Sequence, residues 1–266
     1  MLELQFAELS DRGRVRPQNE DYVGSVVPRS AALAEAQGWL FALADGVGGH
    51  GEGDVASRLA IDTVCEGFRA ARDHEVHRAL LPRLLQQANA KVLEAATRSR
   101  KLGAGMATTL VACAIRSDRA VVCHVGDSRC YLVRRSHAEV LTRDHTVAND
   151  QIRLGILSRR EASDSPMQHM LSRSIGGDLF VAADVSEHQL LSGDVLLLCS
   201  DGLHGAVPTA DIELIISVNP DLGIAAKELV GVANERDGGD NVSVQLIRVS
   251  NVERTAMYRG RPYKLG

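Results

Sequence analysis

The stretch TTLVACAIRSDRAVVCHVGDSRCYLVR, residues 108–134, decides the fold of this chain. It contains three apolar runs typical of β-strands, namely Thr108–Ile115, Ala120–Val125 and Cys130–Arg134. Only the short segments 116–119 and 126–129 separate them. A parallel crossover needs about a dozen residues, so both connections are predicted to be hairpins between antiparallel strands.

The central strands have apolar residues on both faces. Leu110–Ile115 has no polar alternation, and neither does Val195–Cys199. Strands of this kind need cover on both sides, and two long amphipathic segments, Asp54–Arg72 and Glu75–Arg100, have the spacing of helices that supply it. The prediction is an α/β (αββα) sandwich, in which two antiparallel sheets pack together and helices flank both outer faces, rather than a doubly wound fold.

Composition restricts the possible functions. The 266 residues carry 30 Lys and Arg against 34 Asp and Glu, a net charge of −4, and only nine aromatic residues. A nucleic-acid surface normally has a basic footprint or stacking aromatics, so none is expected. No signal peptide or membrane span is visible, which predicts a cytoplasmic protein. The five cysteines form no CxxC pair, so we expect reduced, buried thiols rather than disulfides or zinc ligands.

Five aspartates stand within two residues of Gly or Asn where strand-like runs end. They are Asp21, Asp45, Asp127, Asp201 and Asp240. One Asp-Gly pair usually marks a turn, but strand ends can converge on a single edge, where carboxylates repel one another unless cations bind them. Ligand sets made only of oxygen favour Mg²⁺ or Mn²⁺ over zinc. Two such ions about 3.5–4 Å apart are a known arrangement for activating water in phosphoryl transfer.

The order of the motifs resembles that of the metal-dependent protein phosphatases of type 2C, the PPM family, and in particular its bacterial members with a single catalytic domain. The matching segments are SDRGRVRPQNED at 10–21, ADGVGGH at 44–50, ATTL at 107–110, VGDSR at 125–129, LTRDH at 141–145, CSDGL at 199–203 and GDNVS at 239–243. They extend from about Leu4 to Val249, nearly the whole chain. The family's fold, two packed antiparallel sheets with outer helices, agrees with the sandwich predicted above.

The resemblance implies a ligand set for two core ions, Mn²⁺ or Mg²⁺. Asp45 would bridge both ions, and the Gly46 carbonyl would complete one coordination shell. Asp201 and Asp240 would bind the first ion. Asp21 would support the second ion directly or through water.

The resemblance also assigns Asp127, with Asp201, to a third metal site, and Arg16 to the substrate phosphate, for which a planar guanidinium is suited. The implied reaction is hydrolysis of phosphoserine or phosphothreonine by a metal-activated water, without a covalent intermediate. Some members use a His directly after Asp-Gly as general acid, but this chain has Val47 there. The proton donor stays open, with metal-bound water as one candidate, and His50 is expected to be structural.

The predicted domain organisation is a catalytic domain over residues 1–249, with a polar flap at about 144–176, followed by a basic, irregular tail over 250–266. The resemblance further implies phosphorylated protein substrates and a cognate Ser/Thr kinase as partners. We expect a monomer with no nucleic-acid partner.

Three other interpretations compete with this one. Residues 46–51 fit G-x-G-x-x-G, with Glu66 some twenty residues later, as in dinucleotide-binding folds. Cys123 and Arg129 have the C-x5-R spacing of cysteine-dependent phosphatases, although that thiolate must precede a helix. The third interpretation is a non-catalytic signalling module that kept the fold and lost its metals, against which the presence of all five aspartates argues. A catalytically weak, metal-binding signalling module of the same fold stays as the alternative function.

Overall fold

The predicted strands form two separate sheets in the computed structural model. The structure describes residues 2–47, 52–99, 105–163, 165, 167–252, 254–258 and 261–265. The strands are β1 (Glu3–Asp11), β2 (Asp21–Val26), β3 (Trp39–Val47), β4 (Ala107–Thr108), β5 (Leu110–Arg116), β6 (Arg119–Val125), β7 (Arg129–Arg134), β8 (His137–Val140), β9 (Asp184–Gln189), β10 (Val195–Cys199), β11 (Val242–Asn251), β12 (Arg254–Tyr258) and β13 (Arg261–Leu265). The helices are α1 (Ala31–Ala36), α2 (Gly53–Arg69), α3 (His77–Arg98), α4 (Val147–Arg153), α5 (Arg159–Ser163), α6 (Asp201–His204), α7 (Thr209–Val218) and α8 (Leu222–Arg236).

The two large sheets stack face to face. One has the strand order β1-β11-β10-β7-β8, and the other has β2-β3-β5-β6-β9 with β4 beside β3. All their strand pairings are antiparallel. Helices α2 and α3 cover the outer face of the six-stranded sheet, while α6, α7 and α8 cover that of the five-stranded sheet. The predicted αββα sandwich is confirmed.

Strand β3 shows why both faces of a central strand are apolar. Alternate residues point to opposite faces of a sheet. Leu40, Ala42 and Ala44 therefore pack against α2 and α3, whereas Phe41 and Leu43 point between the sheets. All five side chains are fully buried. The two-sided apolar pattern thus correctly indicated cover on both sides.

The helices that cover the six-stranded sheet lie close to their predicted positions. The segments predicted at 54–72 and 75–100 correspond to α2 and α3, which begin or end up to three residues away from those limits. Such differences are ordinary for helix ends, which fray.

Within the part of the chain that the structure describes, no helix combines the length and the apolar character needed to cross a bilayer.

One of the two predicted hairpins is wrong. Strands β5 and β6 pair through a tight turn, as expected, with Arg116 opposite Arg119. Strands β6 and β7 do not pair, because β6 lies between β5 and β9 in one sheet and β7 lies between β10 and β8 in the other. A short connection excludes a parallel crossover, but it can also step to a facing sheet about 10 Å away. Residues 126–128, including Asp127, make that step.

The segment predicted as a flap contains the short helices α4 and α5. Its two ends meet at its base, where Thr146 and Leu171 form an isolated antiparallel bridge. The Val147 N–H also donates to the Met170 carbonyl at 2.8 Å. The segment therefore leaves the sandwich and returns to it at one place.

The end of the chain is more regular than expected. Strand β11 extends to Asn251, and β12 and β13 then form a two-stranded antiparallel sheet of their own. The prediction of an irregular tail is therefore wrong for 254–258 and 261–265. The first segment contains Thr255 and Tyr258 and the second contains Tyr263, which are residue types that favour strands.

Replacing Phe41 with Ala should lower the free energy of unfolding by about 3–5 kcal/mol, because its ring lies fully buried between the sheets. Denaturant titration measures this change. Phe180→Ala is the matched control, since Phe180 is 78% exposed, and it should change stability by no more than about 0.5 kcal/mol. Equal losses in the two variants would contradict the placement of Phe41.

Candidate active site

A cleft of about 1020 Å³ opens at one end of the sandwich, and most of the predicted site residues line it. They are Arg16, Asp45, Gly46, Asp127, Asp201 and Asp240. Asp21 is 7% exposed and lies beneath the cleft, directly opposite Asp45 in the β2–β3 pairing. Strand ends that are distant in sequence therefore do converge, as their Asp residues suggested.

The ATTL motif fixes Asp45. The Asp45 N–H donates to Thr109 Oγ1 at 2.9 Å. The Asp45 carbonyl accepts from the Thr109 N–H at 2.9 Å and from Thr108 Oγ1 at 2.8 Å. Sequence reasoning found this motif only through the family resemblance, and the structure gives it a physical role. With both of its backbone groups bonded, Asp45 holds its carboxylate at the cleft wall.

Gly46 lies where three backbone segments meet. Its N–H donates to the Glu20 carbonyl at 3.1 Å. A Cβ at this position would lie 2.2 Å from the Gly53 carbonyl oxygen and 2.6 Å from that of Glu20. No side chain fits there, so the residue after Asp45 must be glycine.

Ser200 connects Asp21, in the six-stranded sheet, to the five-stranded sheet. Its Oγ donates to Asp21 Oδ2 at 2.7 Å and accepts from the Ser243 N–H at 2.9 Å. Ser200 directly precedes Asp201, the first residue of α6. The same residue thus helps to place Asp21 in one sheet and Asp201 at the end of the other.

Asn241, directly after Asp240, orders the loop that carries Arg16. Its Oδ1 accepts from the Glu20 N–H at 2.8 Å. Its Nδ2 donates to the carbonyls of Arg12 at 2.8 Å and Gln18 at 3.0 Å. The sequence analysis quoted Asn241 within a motif but gave it no role. The amide closes the loop across residues 12–20.

Arg16 reaches the acidic residues from this loop. Its Nη2 donates to Asp240 Oδ2 at 2.7 Å, while 48% of its side chain remains exposed. A guanidinium has five N–H donors in a fork, so one contact with Asp240 leaves others for an anion in the cleft. The position fits the predicted phosphate-binding role.

The clustered carboxylates resist ionisation. Burial is the main cause that raises the pKa of Asp45 well above its ordinary value, and the charges of Asp21, Asp201, Asp127 and Asp240 raise it further. The pKa of Asp21 rises to about 7 for the same reasons, against the opposing effect of its serine hydrogen bonds. Burial and the charge of Asp201 also raise the pKa of Asp127 to about 7. The site therefore concentrates negative charge that it does not neutralise by itself.

Two carboxylate oxygens support the fit of this site to cations. Asp21 Oδ1 and Asp201 Oδ1 are buried, and neither has a hydrogen-bond partner among the described residues. A buried charged oxygen without a partner is costly, and a divalent cation would supply the missing interaction. The donors are all oxygens, which suits Mg²⁺ or Mn²⁺.

A second group has metal-compatible spacing but lies outside the acidic cleft. It consists of His124, His145 and Asp184, whose ligand atoms lie within 4.8 Å of one another. The Gly126 N–H donates to His145 Nδ1 at 3.2 Å, and His145 Nε2 lies 3.4 Å from Asp184 Oδ2. Asp184 is also paired with Arg173 at 3.0 Å. These partners occupy both nitrogens of His145, so hydrogen bonds and ion pairs account for the group.

The structure excludes both decoy motifs. Cys123 lies inside β6 and is fully buried, and burial raises the pKa of its thiol to about 12. Such a thiol stays protonated and is no nucleophile. The glycine-rich segment follows β3, which pairs antiparallel with both β2 and β5. A dinucleotide-binding βαβ unit would need parallel strands.

The position after Gly46 carries no acid. Val47 is 44% exposed and lines the cleft, while His50 lies outside the described residues. His169, from the flap segment, also lines the cleft. Sequence reasoning missed His169, because nothing in its local sequence distinguishes it from other polar flap residues.

The chain matches known proteins over most of its length. The family model described as Protein phosphatase 2C matches residues 19–222. The Serine/threonine phosphatase stp of Listeria innocua is 34% identical, with 95% of this chain and 96% of the relative covered.

Solved structures agree with the same assignment. The S. agalactiae serine/threonine phosphatase superposes with a TM-score of 0.85 at 31% identity, covering 93% of this chain and 100% of that one. The catalytic domain of PstP, solved with two manganese ions, gives a TM-score of 0.79 at 31% identity, with 94% and 100% covered. The likenesses, over most of the chain and in agreement with the acidic cleft, lead to one assignment: the chain belongs to the protein phosphatase 2C family of metal-dependent serine/threonine phosphatases.

Proposed function

We propose that this phosphatase hydrolyses phosphoserine and phosphothreonine in proteins with the help of Mn²⁺ or Mg²⁺ ions in the acidic cleft. The observation that carries the proposal is the pair of buried, unpartnered carboxylate oxygens on Asp21 and Asp201. The ligands would be Asp21, Asp45, the Gly46 carbonyl, Asp201 and Asp240 for two core ions, with Asp127 and Asp201 for a third. When bound, such ions activate water and offset charge on the phosphoryl oxygens.

The chain's own contribution is to orient the substrate. Arg16 would bind the phosphoryl oxygens with charge-assisted hydrogen bonds, which are stronger than neutral ones. The loop bonded to Asn241 holds the base of this arginine. The Thr109 and Ser200 hydrogen bonds keep Asp45 and Asp21 in place without reorganisation during turnover.

An active enzyme is favoured over a weak metal-binding signalling module of the same fold. A module without catalysis has no use for an arginine held beside the acidic ligands, yet Arg16 contacts Asp240 at 2.7 Å.

We further propose phosphorylated proteins as substrates, a cognate Ser/Thr kinase as the opposing enzyme, and action as a monomer in the cytoplasm. All five cysteines are free and buried, as is usual in a reducing compartment. Comparing phosphoproteomes with and without this protein would identify its substrates.

Removing divalent ions should abolish hydrolysis of a phosphoserine peptide or of p-nitrophenyl phosphate, and adding Mn²⁺ or Mg²⁺ should restore it. The reason is that these ions would activate the water, whereas Arg16 in the same cleft can bind the phosphate but cannot activate water. Release of inorganic phosphate measures the effect. Cys123→Ser is the control and should retain activity per folded molecule. Full activity after thorough demetallation, or complete loss in Cys123→Ser, would refute the proposal.

Arg16→Ala should lower kcat/KM for phosphopeptides about tenfold to a hundredfold, because a charge-assisted hydrogen bond contributes about 1.5–3 kcal/mol. Calorimetric titration should show almost unchanged Mn²⁺ binding. Arg14→Ala is the matched control from the same loop and should retain activity. Unaltered kinetics in Arg16→Ala would mean that another cation holds the phosphate.

Asp127→Ala should fold, bind two ions near Asp45 and still bind phosphate, but its turnover should fall sharply. Asp127 lines the cleft and does not lie in a hairpin, which supports a role for its carboxylate in the site rather than in a turn. The wild-type protein and Asp127→Ala should be compared by calorimetric metal titration and by phosphopeptide turnover. Wild-type turnover together with a lower melting temperature would show that Asp127 is only structural.

A further inference from the structure

The connection that carries Asp127 has no sheet partner, so other groups must fix its backbone. It crosses between the sheets as Gly126-Asp127-Ser128. Gly126 has φ +102°, and a Cβ there would lie 2.6 Å from the Thr109 side chain. The direction of the Asp127 side chain depends on the two peptide planes that flank its Cα.

His145 fixes the peptide plane before Asp127. Its backbone N–H donates to the Gly126 carbonyl at 2.9 Å, and its Nδ1 accepts the Gly126 N–H at 3.2 Å. The His145 side chain is 1% exposed. The preceding residue, Asp144, binds Arg129 through both carboxylate oxygens, at 2.9 and 2.6 Å. The LTRDH motif, which had no role in the predicted site, therefore holds both ends of the connection.

His204 fixes the peptide plane after Asp127. Its Nε2 lies 3.0 Å from the Asp127 carbonyl oxygen. A carbonyl only accepts hydrogen bonds, so Nε2 carries the proton and donates it. Burial and the charge of Arg129 lower the pKa of His204 to about 4, so the ring is neutral near pH 7.

We infer that His204 is a positioning residue for Asp127, and that it holds the Asp127 backbone at a fixed place relative to Asp201. His204 is the last residue of α6 and Asp201 is the first, so one helical turn carries both the ligand and the donor to Asp127. The buried Leu203 anchors this turn in the core beneath the five-stranded sheet. The inference rests on the proposed role of Asp127 at a third ion. It adds that the geometry of this ion's site depends on the imidazole of His204.

His204→Leu removes the donor and should lower kcat about tenfold, the scale of one hydrogen bond to a group that must stay aligned. Calorimetric titration should show that the weakest Mn²⁺ site loses affinity by a similar factor, while KM for the phosphopeptide stays within about twofold. His204→Gln retains an N–H donor and should restore most of the turnover. Failure of Gln to restore turnover while Leu impairs it would overturn the inference.

His77→Leu controls for the loss of any buried histidine. His77 is 5% exposed and its Nε2 contacts the Gln37 carbonyl at 2.7 Å, a similar bond located at the start of α3. This variant should lower the melting temperature and leave kcat and the Mn²⁺ dependence unchanged. Equal kinetic changes in His77→Leu and His204→Leu would overturn the inference.

A double-mutant cycle separates the inference from the proposal on which it rests. In an Asp127→Ala background, His204→Leu should lower kcat no further, since its effect passes through Asp127. Additive losses would show that His204 acts by another route and would overturn the inference alone. Wild-type turnover in Asp127→Ala would instead refute the role of Asp127 at a third ion, and the inference with it.

Discussion

The burial of several carboxylates close to one another is the constraint on which the rest of this structure depends. Asp21, Asp45, Asp127 and Asp201 all have raised pKa values, and burial is the largest cause for each. Left free, such groups would separate or draw in water. The surrounding chain prevents this separation by fixing the backbone on either side of each aspartate.

Small polar side chains provide most of these constraints. Thr109, Ser200 and Asn241 each bond two or more segments that are far apart in sequence. Short hydroxyl and amide side chains suit this role, because they lose little conformational entropy and fill little space between closely approaching backbones. The sandwich underneath supplies rigid strand ends, so the precision of the site comes from the sheets and its chemistry from the connections between them.

The sequence predicts the layers of this fold better than its connections. The two-sided apolar pattern of the central strands required cover on both faces, and α2 and α3 provide it. The hairpin argument failed at residues 126–128, because the length of a connection limits the distance that it spans but does not identify the sheet that it reaches. Helix α7 was not predicted, since Ile215, Ile216 and other β-branched residues obscure its helical period.

The sequence predicted the charged residues of the candidate site but not the hydrogen bonds that hold them. Five Asp at the ends of strand-like runs are visible in the sequence, because four of them adjoin Gly or Asn and Asp21 lies two residues after Asn19. The roles of Asn241 and His204 depend on contacts across more than 70 residues, with Glu20 and Asp127 respectively. No local pattern encodes such contacts, so only the structure reveals them.

Ionisation of the clustered carboxylates lowers the stability of the ion-free fold, and the sign of this effect follows from the raised pKa values. An unfolded carboxyl group ionises with a pKa of about 3.9, whereas Asp21 and Asp127 have pKa values of about 7 in the folded, ion-free chain. Between these values the folded state binds more protons, so its stability falls as the pH rises toward 7. A divalent cation would reverse this effect, because it favours the charged carboxylates that only the folded chain brings together. The same ions that would drive the chemistry thus also stabilise the arrangement of strand ends that holds them.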